Sequence, residues 1–232
     1  LVGSTRLAQR YDPEDLMQIM NLYLDTAIGT LKQHGCHLAY RQGDGIMVYF
    51  GYPKAMEDDA ERAVRAVLET IEAVQNLENE FGEKLDLRAG IATGMVVVGV
   101  VSSKSLGSQD FLVGETANLA SRLQGLAEPG EVIISSETWR LTQGAFEFEP
   151  RGSHELKGFD NQRKVYRVVS EIMSSSRFDA RVGQSAVDLV ARHDDLSTLT
   201  RLWNEAQKGS GRLALVRGAA GIGKSRLIKS LS

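Results

Sequence analysis

Three short runs hold residues whose types and spacing can do chemistry. The first is Gly43-Asp44-Gly45, a carboxylate between two glycines. The glycines let the backbone turn tightly and leave the carboxylate unshielded, so a divalent cation and a polyphosphate can reach it. Asp-Gly is also a common hairpin turn, and taken alone the run fits that role too. The second is Asn118 and Arg122, four residues apart and so on one face of a helix. There an amide can orient a ribose or phosphate, and a guanidinium can neutralise developing negative charge. Such a pair is also ordinary solvated helix surface. The third is Gly218-Ala219-Ala220-Gly221-Ile222-Gly223-Lys224-Ser225, which fits G-x-x-x-x-G-K-[ST]. In such a loop main-chain amides around Gly218, Gly221 and Gly223 would cradle phosphates, Lys224 would reach the β- and γ-phosphates, and Ser225 would bind Mg²⁺.

Composition narrows the classes. The 232 residues are 42% apolar and 25% charged, as in an ordinary globular protein. A net charge of −3 gives no electrostatic reason to expect nucleic acid or an anionic membrane surface. Cys36 is the single cysteine, so no intrachain disulfide is possible, which fits a reducing, cytoplasmic setting. No apolar run reaches the ~18–20 residues of a membrane span. The four histidines lack ligand spacing, Cys36 reads as a small apolar side chain, and Trp139 and Trp203 read as packing residues.

The elements that must position the three runs follow from periodicity and punctuation. Leu1–Thr5 read as a strand end running into a turn. Asp12-Pro13 is a cap and first helical residue, Leu16, Ile19, Met20, Tyr23, Ala27 and Leu31 recur at helical spacing, and Gly35 closes the helix. Residues 36–41 and 46–50 are β-type runs around the glycine-flanked aspartate, which predicts a hairpin. A second helix starts near Met56, with Glu57, Asp58 and Asp59 in its first turn. Residues 85–92 and 95–101 read as a strand pair turning at Thr93-Gly94. Then come a polar loop over 102–109, a short strand over 110–113, and a helix from Glu115 to about Leu126 that carries Asn118 and Arg122. After Pro129-Gly130 come a strand over 131–135, a short helix over 137–142, and strands near 146–148, 153–157 and 165–169. This order predicts an α+β fold with a ferredoxin-like antiparallel sheet over residues 1–170. Residues 171–188, with Ser174-Ser175-Ser176, read as a linker. Residues 189–232 read as the start of an α/β P-loop domain: a helix over 194–207, a strand over 213–216, and the phosphate loop. Both ends look cut, so the sequence reads as part of a longer polypeptide.

Six ordered blocks then point to one family. They are Leu1-Val2-Gly3-Ser4-Thr5, the hairpin from Gln42 to Pro53, Glu57–Val64, Gly90-Ile91-Ala92-Thr93-Gly94, Val113–Leu123 and Leu156-Lys157-Gly158-Phe159. The series resembles the class III adenylate/guanylate cyclase catalytic domain, in the bacterial branch related to soluble adenylate cyclases. The resemblance implies ATP as substrate and cyclic AMP and pyrophosphate as products. It also implies two metal ions per site, Mg²⁺ or Mn²⁺, held by two aspartates. Asp44 matches the second of these, and the first would immediately precede Leu1, so the chain as it stands is expected to be inactive. Asn118 matches the ribose-orienting asparagine, Arg122 the transition-state arginine, and Lys157 the lysine that contacts the triphosphate. The family's sites form at a head-to-tail dimer interface, which implies a homodimer with composite sites.

Two positions depart from the pattern. The family reads the purine with a lysine and an Asp or Thr where this sequence has Tyr40 and Phe111. Tyrosine offers one hydroxyl and phenylalanine a stacking face, so the base contacts differ from the family's and GTP enters as an alternative substrate. A further alternative is a cyclase-like regulatory module that controls the attached ATPase, itself similar to the signalling ATPases that follow such domains. A palm-type diguanylate cyclase fits less well, because Gly43-Asp44 is followed by Gly45-Ile46 and because the Asn/Arg helix is present.

Overall fold

In the computed structural model, described for residues 1–77, 82–103, 107–172, 193–209, 211–217 and 224–230, the chain divides into two units, Leu1–Met173 and Ser174–Ser232. The first unit begins differently from the strand end expected there. Val2 donates its N–H to the Asp86 carbonyl at 2.8 Å, but Gly3 (φ 73) then turns the chain into helix α1, Ser4–Arg10. Helix α2, Pro13–Gln33, starts as the sequence predicts. The Asp12 carboxylate accepts from the Glu14 and Asp15 N–H groups, and two orphan donors of the first turn are thereby satisfied. At its end Gly35 takes φ 75 and donates to the Lys32 carbonyl.

Strands β1 (His37–Gln42) and β2 (Gly45–Tyr49) form the expected hairpin, antiparallel with Gln42 opposite Gly45. Helix α3 spans Asp59–Gln75, three residues later than expected. The acidic run straddles its start: Asp58 is the N-cap residue and makes no side-chain cap bond, while Asp59 stands in the first turn, accepts from the Met56 N–H at 2.7 Å and pairs with Arg62. Strands β3 (Ala89–Ile91), β6 (Val132–Ser135), β7 (Phe146–His154) and β8 (Arg163–Glu171) make a four-stranded sheet in the order β3-β6-β8-β7. Its pairs are antiparallel except β3–β6, which is parallel. The expected pairing across Thr93-Gly94 therefore does not occur. Strand β4 (Val97–Ser103) pairs with β5 (Gly107–Val113) instead, and the predicted polar loop is largely strand. Helices α4 (Glu115–Leu126) and α5 (Ser136–Thr142) lie close to their expected bounds, whereas the two strands expected near 146–157 are the single strand β7.

All four residues of β6 are buried, because helices cover both faces of the sheet. Val132 and Ile134 pack with α2 and α3 residues such as Ile19, Val64 and Val74, while Ile133 packs with Leu119 and Leu123 of α4. Each such fully buried aliphatic side chain contributes about 1.5–3 kcal/mol. Gly90 is where α4 crosses β3: a Cβ there would stand 2.2 Å from the Ala120 carbonyl oxygen and from the Gln124 nitrogen.

In the second unit α6, His193–Gln207, carries Asp194 and Asp195 in its first turn. Glu205 accepts from Arg201 at 2.8 Å and from Arg212 at 3.0 Å. The predicted strand at 213–216 is not formed. Among the described residues no strand pairs with it, and Leu213 is 97% exposed. Trp203, expected to pack, is 55% exposed. Helix α7 spans Lys224–Lys229, while Gly218, Gly221 and Gly223 lie outside the described residues.

The glycines give a direct check of this packing. Gly90→Ala is expected to destabilise the first unit by about 3 kcal/mol, because the added methyl meets backbone that has no room to move. Gly29→Ala, in α2 with open space at its Cβ, is expected to stabilise it by about 0.5–1 kcal/mol. Urea unfolding of both variants measures the two effects.

Candidate functional site

The β1–β2 turn is two residues long, Gly43 and Asp44. Gly43 takes φ 61 with nothing near its Cβ direction, the conformation that a tight hairpin turn demands. Asp44 opens onto a cleft of about 520 Å³ in the first unit. Its side chain is 31% exposed, and its Oδ2 lies 3.7 Å from the Leu1 nitrogen. Below the turn, buried Tyr23 of α2 donates its hydroxyl to the Asp44 main-chain carbonyl at 2.8 Å. Burial, and next the nearby Asp44 charge, push the Tyr23 phenol up to about 12.

Helix α4 forms another wall. At about 100° per residue, Thr116, Ala120 and Gln124 share the side that lines the cleft. The Thr116 hydroxyl donates to the Met95 carbonyl at 2.9 Å, and a Cβ on Gly94 would stand 2.5 Å from its oxygen, so the segment after β3 is pressed onto the helix start. Asn118 and Arg122 fall on a different side of α4 and are exposed. Arg122 donates from Nε to the Lys157 carbonyl at 3.3 Å. Lys157 stands on the turn Leu156–Phe159, closed by the Phe159 N–H to the Leu156 carbonyl at 3.0 Å with Gly158 at φ 93. Buried Leu156 and partly buried Phe159 anchor that turn on the Leu119–Leu123 cluster.

The structure thus brings the sequence candidates into two groups. Asp44 and Tyr40 share the cleft, with Tyr40 44% exposed on β1. Arg122 touches the Lys157 turn, with Asn118 one helical turn away, and none of these three lines the cleft. Phe111 lies on β5 opposite Gly99. In the second unit Lys224 and Ser225 are the first residues of α7. His34 pairs with Glu69 at 2.7 Å, and burial raises the Cys36 thiol, which disfavours the reactive thiolate. Trp139 stacks on Tyr166 at 4.6 Å.

Tyr23 is the site residue that sequence reasoning missed. Its spacing assigned it to the apolar face of α2, and the one signal against a purely packing role was a phenol that needs a partner when buried. The Asp44 carboxylate is a hard oxygen donor of the kind Mg²⁺ and Mn²⁺ take. Among the described residues no three His, Cys, Asp or Glu side chains gather into a metal site. A cation at Asp44 would therefore draw its other oxygens from a ligand such as a polyphosphate, which also needs the open cleft.

A sequence profile of the adenylate and guanylate cyclase catalytic domain matches residues 1–170. An uncharacterised protein of Rhizobium meliloti (strain 1021) is 33% identical over all 232 residues, which correspond to 22% of its length. The chain thus spans about a fifth of that relative. The crystal structure of the adenylyl cyclase CyaB from P. aeruginosa shares 30% identity, with a TM-score of 0.68 over 76% of this chain and 91% of that one. The guanylate cyclase domain of RhGC from Catenaria anguillulae, in complex with GTP, shares 28% identity, with a TM-score of 0.69 over 74% of this chain and 92% of that one.

The raised phenol gives a pH signature. Tyr23 stays protonated in the folded state after it would ionise in the unfolded chain, so its contribution is fully present below pH 10 and is lost as pH rises towards 12. In metal-free buffer, absorbance titration should show a tyrosine ionising near pH 12 that is absent from Tyr23→Phe. The fall in stability between pH 10 and 12 should be shallower in that variant.

Proposed function

Residues 1–170 belong to the adenylate and guanylate cyclase catalytic domain family, and on that premise we propose that this chain converts ATP to 3′,5′-cyclic AMP and pyrophosphate in intracellular signalling. The observation that carries the proposal is the division of the charged groups. Asp44 stands in a cleft, while Arg122 and Lys157 meet on an exposed face outside it. In the reaction the ribose 3′-oxygen bonds to the α-phosphorus, the bond from that phosphorus to the β-bridging oxygen breaks, and the 3′-hydroxyl proton leaves to solvent. Mg²⁺ or Mn²⁺, two per site and held in part by Asp44, would neutralise the triphosphate and ease loss of the hydroxyl proton. Arg122 offsets negative charge that builds on the α-phosphate, and the Asn118 amide orients the ribose. Lys157 pairs with triphosphate oxygens. Such a displacement needs positioning and charge neutralisation more than covalent help from the protein.

A homodimer completes the site in this reading. Because Asn118, Arg122 and Lys157 face away from the Asp44 cleft, a second copy supplies them. The same reading takes 171–188 as a linker and 189–232 as the start of a P-loop ATPase, on the strength of the motif from Gly218 through Gly221 and Gly223 to Lys224 and Ser225. This reading takes the reaction to be cytoplasmic, in keeping with a single cysteine.

GTP is the second reading. Tyr40 lines the cleft with one hydroxyl where the family resemblance has a lysine, Phe111 offers only a ring, and both adenylyl and guanylyl cyclases are among the similar structures. A cyclase assay with Mn²⁺ decides, on the full-length protein and with ATP and GTP offered separately. Cyclic AMP is expected, with Asp44→Ala and Arg122→Ala each losing about 10²–10³-fold. Mixing the two variants should restore about a quarter of wild-type activity through hybrid dimers that hold one intact site. Dominant cyclic GMP would overturn the choice of base. Nucleotide binding with no cyclic product would leave a regulatory module that controls the ATPase.

A further inference from the structure

The turn that carries Asp44 stands at the tip of a two-stranded hairpin. Among the described residues strands β1 and β2 hydrogen-bond in a ladder only with each other, and a two-stranded hairpin depends on packing for its stability; Ile46 supplies such packing on the core. The main-chain groups of Gly43 and Asp44 lie beyond the last ladder pair, Gln42 with Gly45. A hydrogen bond ties the main chain of the turn to the body of the domain, from the Tyr23 hydroxyl to the Asp44 carbonyl at 2.8 Å. Tyr23 suits that task. It is 2% exposed, so its ring is fixed by packing. It also sits mid-way along α2, which is capped by Asp12 and packed against α3. Of the five buried residues of α2, namely Ile19, Tyr23, Leu24, Ala27 and Leu31, Tyr23 is the one with a polar group.

We propose that Tyr23 is a positioning residue for cation binding: by pinning the Asp44 main chain to α2, its hydroxyl sets where the Asp44 carboxylate stands in the cleft. The inference rests on the reading of Asp44 as a cation ligand. Packing alone does not call for the oxygen, since phenylalanine fills the same space with the same ring. The carbonyl and the carboxylate belong to one residue, so fixing the first restricts the second. Without the bond, the carboxylate samples more positions and a cation must pay the cost of ordering it.

The test uses the full-length protein. Mn²⁺ is titrated by electron paramagnetic resonance in the presence of 3′-deoxy-ATP, which lacks the attacking hydroxyl. Tyr23→Phe should raise the Mn²⁺ dissociation constant about three- to tenfold, the worth of one hydrogen bond. Its thermal midpoint should stay within a few degrees of that of Tyr166→Phe, a remote tyrosine whose variant should bind Mn²⁺ like wild type. An unchanged constant in Tyr23→Phe, with binding abolished by Asp44→Ala, would overturn the role of Tyr23 and leave the reading of Asp44 intact. Unchanged binding in Asp44→Ala would overturn both. Loss of cooperative melting in Tyr23→Phe would show a core role instead of a positioning one, and would also overturn the inference.

Discussion

The first unit depends on how closely α4 approaches β3. At Gly90 the helix backbone comes so near that even a methyl group would stand 2.2 Å from it. This absence of a side chain lets Leu119 and Leu123 reach Ile133 and Val165 across the sheet. It also fixes the rotation of α4 about its own axis. With its apolar side pressed on the sheet, the helix has no freedom in what it shows elsewhere: Thr116, Ala120 and Gln124 line the cleft, and Asn118 and Arg122 face solvent.

That rotation has a chemical consequence. Asp44 is set at the cleft by a hairpin that leans on α2 through Tyr23, while Arg122 and Lys157 are set by α4 and the turn that ends in Phe159. The anionic and cationic groups therefore belong to separate faces of one chain. A nucleotide triphosphate needs both at once, the carboxylate for its cations and the guanidinium and ammonium for its phosphates. On the proposed reading, packing forces that pull α4 onto the sheet leave each chain with two half-sites, and a symmetric pair of chains is the simplest way to join them.

Local chemistry made much of this legible in the sequence. The Asp12-Pro13 cap, the Gly35 stop and the glycine-flanked turn each declare their structure within a few residues, and Glu115–Leu126 lies where its periodicity puts it. Long-range pairing was not legible. Nothing within residues 85–101 tells β3 to take β6 as its parallel neighbour in place of β4, because that choice is made by burial beneath α4 at Gly90. Helix α3 starts three residues later than the acidic run suggests, with Asp59 in its first turn holding the Met56 N–H of the segment before it. At 213–216 the strand signal lacks a ladder partner among the described residues, and propensity alone does not make a strand. For the candidate site, the motifs gave Asp44, Asn118, Arg122 and Lys157, but the link between Tyr23 and Asp44 joins residues 21 apart. A helical period cannot report such a contact.

The central claim is that one chain carries two half-sites that only a second copy completes. A crystal structure of the full-length protein, grown with Mn²⁺ and 3′-deoxy-ATP, tests this most directly. The account predicts one triphosphate held between Asp44 of one subunit and both Arg122 of the partner subunit and Lys157 of the partner subunit. A nucleotide held by Asp44, Arg122 and Lys157 of the same subunit, or one bound away from Asp44, would contradict it.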